Sequence, residues 1–329
     1  MLNRRVLRTK VLQALYAFFQ SEDDRIDIAE KNLITSINKM YDLYIYQLSI
    51  IPALVEFIKQ RQDENKLKHL PTEEDLNPNT KFADNRILKQ ITGNITYKLK
   101  FNELKISWKE EQDMLRQLYN EIKESNTYIK YARSFDNYPY EADKKFFLKI
   151  FRNFIIENET IVNYFEDKYI HWADDFYEVA FMVVLTIENL KAEHTEDYPL
   201  PELFKPEDEY SNSSDKDFIT QLFRKTIIHS KKFEKLISAK TDNWDIDRIA
   251  IIDMILLKMA ITEMTEFPSI PVKVTMNEYI DISKDYSTEK SKLFINGILD
   301  KLAQDLNKKN KLNKIVTSLE DDQSNVVNE

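Results

Sequence analysis

The chain has 329 residues, 43% hydrophobic and 31% charged, with a formal net charge of −9, two glycines and no cysteine. Its length admits two domains or one enlarged one. Gly93 and Gly297 alone cannot build a dinucleotide fingerprint or a phosphate loop, and without thiols there are no disulfides, no zinc thiolates and no cysteine nucleophile. Scarce glycine, abundant Lys, Glu, Leu and Ile, and long stretches of 3.6-residue periodicity predict an all-α protein.

Asn3 is placed to cap a first helix ending near Gln20, with Leu7, Val11, Ala14, Leu15 and Phe18 on one stripe. Arg4, Arg5, Arg8 and Lys10 lie in this helix, and no acidic residue precedes Glu22. Cations at a helix N-terminus oppose its macrodipole, so something negative is expected beside them. A merely solvated helix start, with long stems covering apolar neighbours, is the plainer alternative, and that absence of acid weakens it. Gln13 interrupts the apolar run and no small-residue cleavage site follows Phe19, so the segment is not read as a signal peptide. With no uncharged apolar stretch long enough for a membrane span, a cytoplasmic protein without a membrane partner is expected.

A second helix is predicted over 26–62, bearing Leu33, Ile37, Met40, Tyr41, Tyr44, Leu48, Ile51, Leu54, Val55 and Ile58, with a bend at Pro52. Further helices are predicted over 85–101 and 109–131. The aromatic run Tyr128, Tyr131, Phe135, Tyr138 and Tyr140 reads first as helix packing and second as a contact surface. Between 193 and 215, Pro199, Pro201 and Pro206 among acidic residues mark a surface loop. Beyond Asn307 the lysine-rich, then acidic tail over 309–329 carries little apolar content and is expected to be disordered.

A shift of 72 residues sets Asp143, Lys144, Phe146, Phe151, Arg152, Ile155, Trp172 and Asp175 on Asp215, Lys216, Phe218, Phe223, Arg224, Ile227, Trp244 and Asp247. Two readings follow: 143–187 is a degenerate repeat of 215–259, or two amphipathic helices coincide by chance. The four histidines, His69, His171, His194 and His229, lie far apart and none stands at metal-ligand spacing, so no metal, no cofactor and no catalytic group is expected.

The most specific pattern is C-terminal. Ile270-Pro271-Val272-Lys273-Val274 opens a segment containing Asn277-Glu278-Tyr279, and Ser291-Lys292-Leu293-Phe294-Ile295-Asn296-Gly297-Ile298-Leu299-Asp300 follows after a short polar turn. With Arg4-Arg5, Arg8 and Gln13-Ala14-Leu15-Tyr16 at the start, and Asp247-Arg248, Asp253, Ala260 and Glu263 between, the chain resembles the transcription antitermination factor NusB family. The resemblance covers about a third of the chain.

That resemblance implies a helical bundle made of two small bundles, discontinuous here over 1–20 plus 211–308 and enlarged by a helical insertion over 21–210. It implies a non-enzymatic factor that binds boxA-like single-stranded RNA together with NusE, a small-subunit ribosomal protein, to promote ribosomal RNA transcription. Carried over residue by residue, Arg4, Arg5, Arg8, Tyr16 and Phe294 are RNA-binding, and Asp253 faces NusE. Lys290 and Lys292 add positive potential near Phe294; Lys290 departs from the acidic residue of the family pattern. Cations on phosphates with aromatics on bases suit single-stranded RNA. Phe294 is equally readable as a core residue, Gly297 as a site of close helix approach, and Pro271 as the first turn of a helix capped by Ser269. No small-molecule substrate is expected. A methyltransferase carrying a NusB-like domain is excluded for want of a glycine-rich loop and a cysteine. A helical interaction scaffold that keeps the fold without RNA stays as the alternative.

Overall fold

A computed structural model describes residues 2–134, 139–205, 214–241, 249–309 and 312, and among these there are helices and turns but no strands. Trp244 and Asp247 of the shifted alignment, Phe135 and Tyr138 of the aromatic run, and nearly all of the tail lie outside the described residues. The chain divides into two compact units, Ser36–Leu203 and Leu2–Thr35 with Phe204–Glu329.

In chain order, α1 (Arg4–Gln20) begins where Asn3 accepts a hydrogen bond from Val6 N, as expected of an asparagine cap. The long α2 (Ile26–Lys66) carries Pro52 in its interior, where the ring removes one backbone donor from the helix ladder. The unit over Ser36–Leu203 continues through α3 (Glu73–Leu76), α4 (Arg86–Gly93), α5 (Ile95–Glu103), α6 (Gln112–Glu124) and α7 (Asn126–Ala132). It closes with α8 (Tyr140–Ile150), a π-helical turn Phe151–Ile156, α9 (Glu159–Lys168), a 3₁₀ turn Ile170–Trp172 and α10 (Phe176–Asn189).

Two expected helices are each broken into two. Asn94 ends α4 in an extended conformation and its side chain restarts the chain as α5 by accepting from Tyr97 N. Ser125 does the same between α6 and α7, accepting from Tyr128 N. Both residues offer the backbone a competing side-chain partner, and that is why they break a periodic stretch. The aromatic run packs: Tyr131 stacks on Phe146 with ring centroids 3.7 Å apart and donates to Asp143 Oδ1 at 2.8 Å, and Tyr140 donates to Gln90 Oε1 at 2.7 Å. Trp172 is buried in its turn and donates from Nε1 to the Lys39 carbonyl at 2.9 Å.

The other unit holds α1, the start of α2, α11 (Asp215–Ile228), α12 (Ser230–Ser238), α13 (Ile251–Glu266), α14 (Val272–Tyr286) and α15 (Glu289–Lys308). Every side chain of α13 from Asp253 to Met264 is buried, because α1, α11, α12, α14 and α15 all pack against it. A helix covered on every side loses amphipathic character, and α13 reads as nearly continuous apolar sequence. Its four polar exceptions, Asp253, Lys258, Thr262 and Glu263, must therefore find partners inside. Helix α14 starts at Val272 with Pro271 in the cap position and no side-chain cap. Pro271 is thus one residue outside the helix, and Ser269 does not cap it; the expectation of a proline in the first turn is corrected.

Candidate nucleic-acid interface

The first two turns of α1 present three arginines at different depths. Arg4 lies with its guanidinium 4.9 Å above the Phe218 ring and its Nε 3.4 Å from Asp215 Oδ1. Arg5 is the exposed one: Nη2 donates to Glu278 Oε1 at 3.1 Å and to Asp281 Oδ2 at 2.9 Å, both on α14. The Glu278 hydrogen bond, more than the remaining causes, raises the Arg5 pKa, with burial opposing it. Asp281 is held below the ordinary carboxylate range first by its hydrogen bond from Lys284, with Arg5 adding to that against desolvation.

Arg8, expected at an RNA surface, points inward. It is 3% exposed and makes two 2.8 Å hydrogen bonds to Glu263, which is fully buried. Thr275 Oγ1 donates to Glu263 Oε1 at 2.9 Å and Tyr279 OH to Oε2 at 3.1 Å, so both carboxylate oxygens carry two donors. Burial works against the charge on Arg8, but the hydrogen bonds and negative charge of Glu263 outweigh it and hold the pKa above the usual guanidinium value. Burial, then Glu263, pushes the Tyr279 hydroxyl well above 10.0. The network ties α1, α13 and α14 together, and this is the physical reason that the turn of α1 carrying Arg5 is rigidly placed.

Further along α1, Gln13 donates to Tyr286 OH at 3.4 Å, so α1 and α14 run in step from Arg5 with Asp281 to Gln13 with Tyr286. Tyr16, one turn beyond Gln13, is 43% exposed. After Tyr286 the chain turns: Ser287 Oγ donates to Asp253 Oδ1 at 2.6 Å, and Thr288 caps α15 by accepting from Ser291 N. Asp253, expected to face NusE, is therefore 4% exposed and fastens the turn between α14 and α15. Lys290 and Lys292 are exposed in the first turns of α15, and Phe294 is half-buried there. Its neighbour Leu293 is exposed. Lys290, Phe294 and Gly297 recur at helical spacing along one side of α15, and a Cβ on Gly297 would meet nothing within 4 Å. Gly297 thus serves no close helix approach, and that expectation is corrected.

The NusB family model matches residues 177–304, which take in α11 to α15 and nearly all of α10. The "Transcription antitermination protein NusB" of Geobacter sulfurreducens is 38% identical over 108 residues, 33% of this chain and 78% of that protein. Its namesake in Natranaerobius thermophilus is 32% identical over 116 residues, 35% of this chain and 84% of that protein. The chain belongs to the NusB family. The NusB of Salinibacter ruber is 44% identical over 101 residues, which are 31% of this chain and 63% of that relative's length. No solved structure matches the chain. Among the described residues no helix is long and apolar enough to cross a membrane.

Two members of this site, although noted in the sequence, were not read there as partners of the arginines of α1. Glu263 and Glu278 are the carboxylates that receive the arginines of α1. A signal existed for the first: a glutamate inside the apolar segment 251–264 demands a buried cation.

Proposed function

We propose that this NusB-family chain is a non-enzymatic transcription antitermination factor that binds boxA-like single-stranded RNA together with NusE. The NusB-like domain is assigned to 1–20 plus 211–308, with 21–210 as an inserted helical region. The observation that carries the reading is the pairing of α1 with α14 through Arg5, Glu278 and Asp281, which holds an exposed guanidinium at the helix start. Arg4, Arg5 and Tyr16 on α1 and Lys290, Lys292 and Phe294 on α15 supply cations for phosphates and rings for bases. Arg8 acts through Arg5's scaffold, and Asp253 acts on NusE through the α14–α15 turn that it fastens.

The scaffold reading keeps one specific support: each of the three arginines is already met by a carboxylate. Titration of the chain with a boxA-like RNA at several salt concentrations, with and without NusE, separates the two. An RNA factor using three or four cations shows a slope of log affinity on log salt of roughly −2 to −3. A scaffold shows no salt-dependent RNA affinity at all.

A further inference from the structure

Helix α12 turns a face of bare cations outward. Its exposed residues are Lys231, Lys232 and Lys235 and no others, and helix geometry sets these three within an arc of about 100°. Among the described residues none of the three holds an ion pair. The one acid of α12, Glu234, is drawn the other way, to 3.7 Å from Nζ of the buried Lys258. The fold gains little from this arrangement. Lys231 and Lys235 are like charges at i,i+4, and Lys231 and Lys232 stand in a first turn that holds no acidic residue, where cations oppose the helix dipole. Lys232 lays its stem toward an apolar neighbour, 6.0 Å from the Phe233 ring centroid, but Lys231 and Lys235 make no such contact with a described ring. In a chain of net charge −9, three clustered cations without a carboxylate mark a place for an anion from outside.

The position of α12 says which anion. Arg5 and Tyr16 lie three turns apart on one side of α1, about 16 Å along its axis. Phe19 follows Tyr16 by one turn, and its ring centroid is 5.2 Å from Lys258 Nζ. Lys258 in turn donates to Ser230 Oγ at 2.9 Å, so α12 begins beside the end of α1. A strand laid along α1 from Arg5 past Tyr16 therefore arrives at the lysines of α12. A protein partner would need apolar or aromatic anchors at the centre of its contact, and the exposed face of α12 offers lysine alone. A phosphate backbone needs only the charges.

We propose that Lys231, Lys232 and Lys235 form a second phosphate contact, which takes the single-stranded RNA flanking the boxA-like element where it runs off the end of α1. The proposal rests on the RNA reading of this chain and extends it from the element to its flank. Lysine is a flexible point charge without the planar fork of arginine, so the contact holds backbone and reads no sequence.

The test uses the full chain and three RNAs: a boxA-like element alone, and the same element carrying a run of uridines on its 5′ or its 3′ side. One extended RNA should bind more tightly than the element alone, with a slope of log affinity on log salt steeper by about 2, roughly 0.7 for each lysine. Its advantage should shrink by about an order of magnitude between about 50 and 200 mM salt. Lys231→Ala, Lys232→Ala and Lys235→Ala together should abolish the advantage and the extra slope, and leave affinity for the element alone and the circular dichroism spectrum unchanged. Arginine at all three positions should keep the advantage. The single variants Lys231→Gln and Lys235→Gln, each removing about a third of the extra slope, decide the matter if the triple variant fails to fold. Extended RNAs no tighter than the element alone, or a triple variant that keeps the advantage, overturn this proposal and leave the RNA reading standing. If the parent binds none of the three RNAs, that reading falls and this proposal with it. A polyglutamate peptide that binds the parent and not the triple variant, with no gain from either RNA extension, gives the face to an acidic protein segment and overturns the proposal as well.

Discussion

Arg8 and Glu263 are 255 residues apart in sequence and meet in the core through a bidentate pair with 2.8 Å hydrogen bonds. The pair converts a cation of α1 into a structural part of the bundle, because both side chains are closed from solvent and Thr275 and Tyr279 complete the carboxylate's shell. Removing one partner of such a pair leaves an uncompensated buried charge. Arg8→Ala should therefore lower unfolding stability by about 3–5 kcal/mol. Arg8→Lys should recover only part of it, since an ammonium cannot reproduce the two-pronged contact. Urea unfolding of both variants checks this, and an Arg8→Ala protein as stable as the parent would show that the network carries no stability.

Arg5 behaves differently because its partners sit at the surface. Its pairs with Glu278 and Asp281 are half-exposed and screened, so Arg5→Ala should change stability by no more than about 1 kcal/mol. If it contacts a phosphate, the same substitution removes one released counterion, and the salt slope of RNA binding should become shallower by about 0.7. Titrations at several salt concentrations measure the slope directly; an unchanged slope removes Arg5 from the interface.

These two arginines show where sequence reading succeeds and where it stops. Asn3, the apolar stripe of α1 and its end near Gln20 were legible, because capping and 3.6-residue periodicity are local. The opposite fates of Arg5 and Arg8 were not, since they depend on carboxylates more than 250 residues away. Asp253 was likewise expected on a surface, and only the covering turn at Ser287 makes it internal. Asn94 and Ser125 hid helix boundaries inside long periodic stretches, although as capping residue types they carried the signal. Gly297 misled in the other direction: glycine in a helix suggested crowding, and the space beside it is open.

Asp253 accepts from Ser287 Oγ at 2.6 Å, and Ser287 in turn contacts Ser291 at 2.9 Å. Asp253→Ala should cost about 1–3 kcal/mol by leaving the half-buried Ser287 hydroxyl without its acceptor. Ser287→Ala should cost at least as much, since it leaves the buried Asp253 carboxylate without that donor. Calorimetric titration of both variants against NusE distinguishes the roles. A loss common to both variants marks a positioning effect of the turn, whereas a loss confined to Asp253→Ala marks direct contact.

Lys258 supplies a pH test. Its Nζ is buried against Ser230 Oγ at 2.9 Å and lies 5.2 Å from the Phe19 ring centroid. Burial lowers its pKa below 10.5, with Glu234 only partly offsetting the effect. Between the folded pKa and 10.5 the unfolded chain binds more protons than the folded one, so this residue makes stability rise with pH in that window. Below the window its cost to the fold is present in full. Lys258→Met should raise stability at pH about 7 and flatten the rise toward pH about 10. Urea midpoints at the two pH values give the comparison, and a variant less stable at neutral pH would mean that the contacts to Ser230 and Glu234 outweigh desolvation.

Gly297 offers the sharpest separation of stability from binding. It lies inside α15, where glycine is less favourable than alanine by about 0.8–1.0 kcal/mol, and a methyl group there would touch nothing. Gly297→Ala should thus raise stability by up to about 1 kcal/mol in the free chain. Lys290, Phe294 and Gly297 share one side of the helix, so an RNA strand crossing that side would approach the bare backbone at Gly297. In that case the stabilised variant should bind boxA-like RNA more weakly than the parent, while Leu293→Ala, on a neighbouring exposed position, should not. Thermal unfolding paired with RNA titration reads both effects. Full RNA affinity in a stabilised Gly297→Ala protein would take this face of α15 out of the interface and leave α1 as its remaining support.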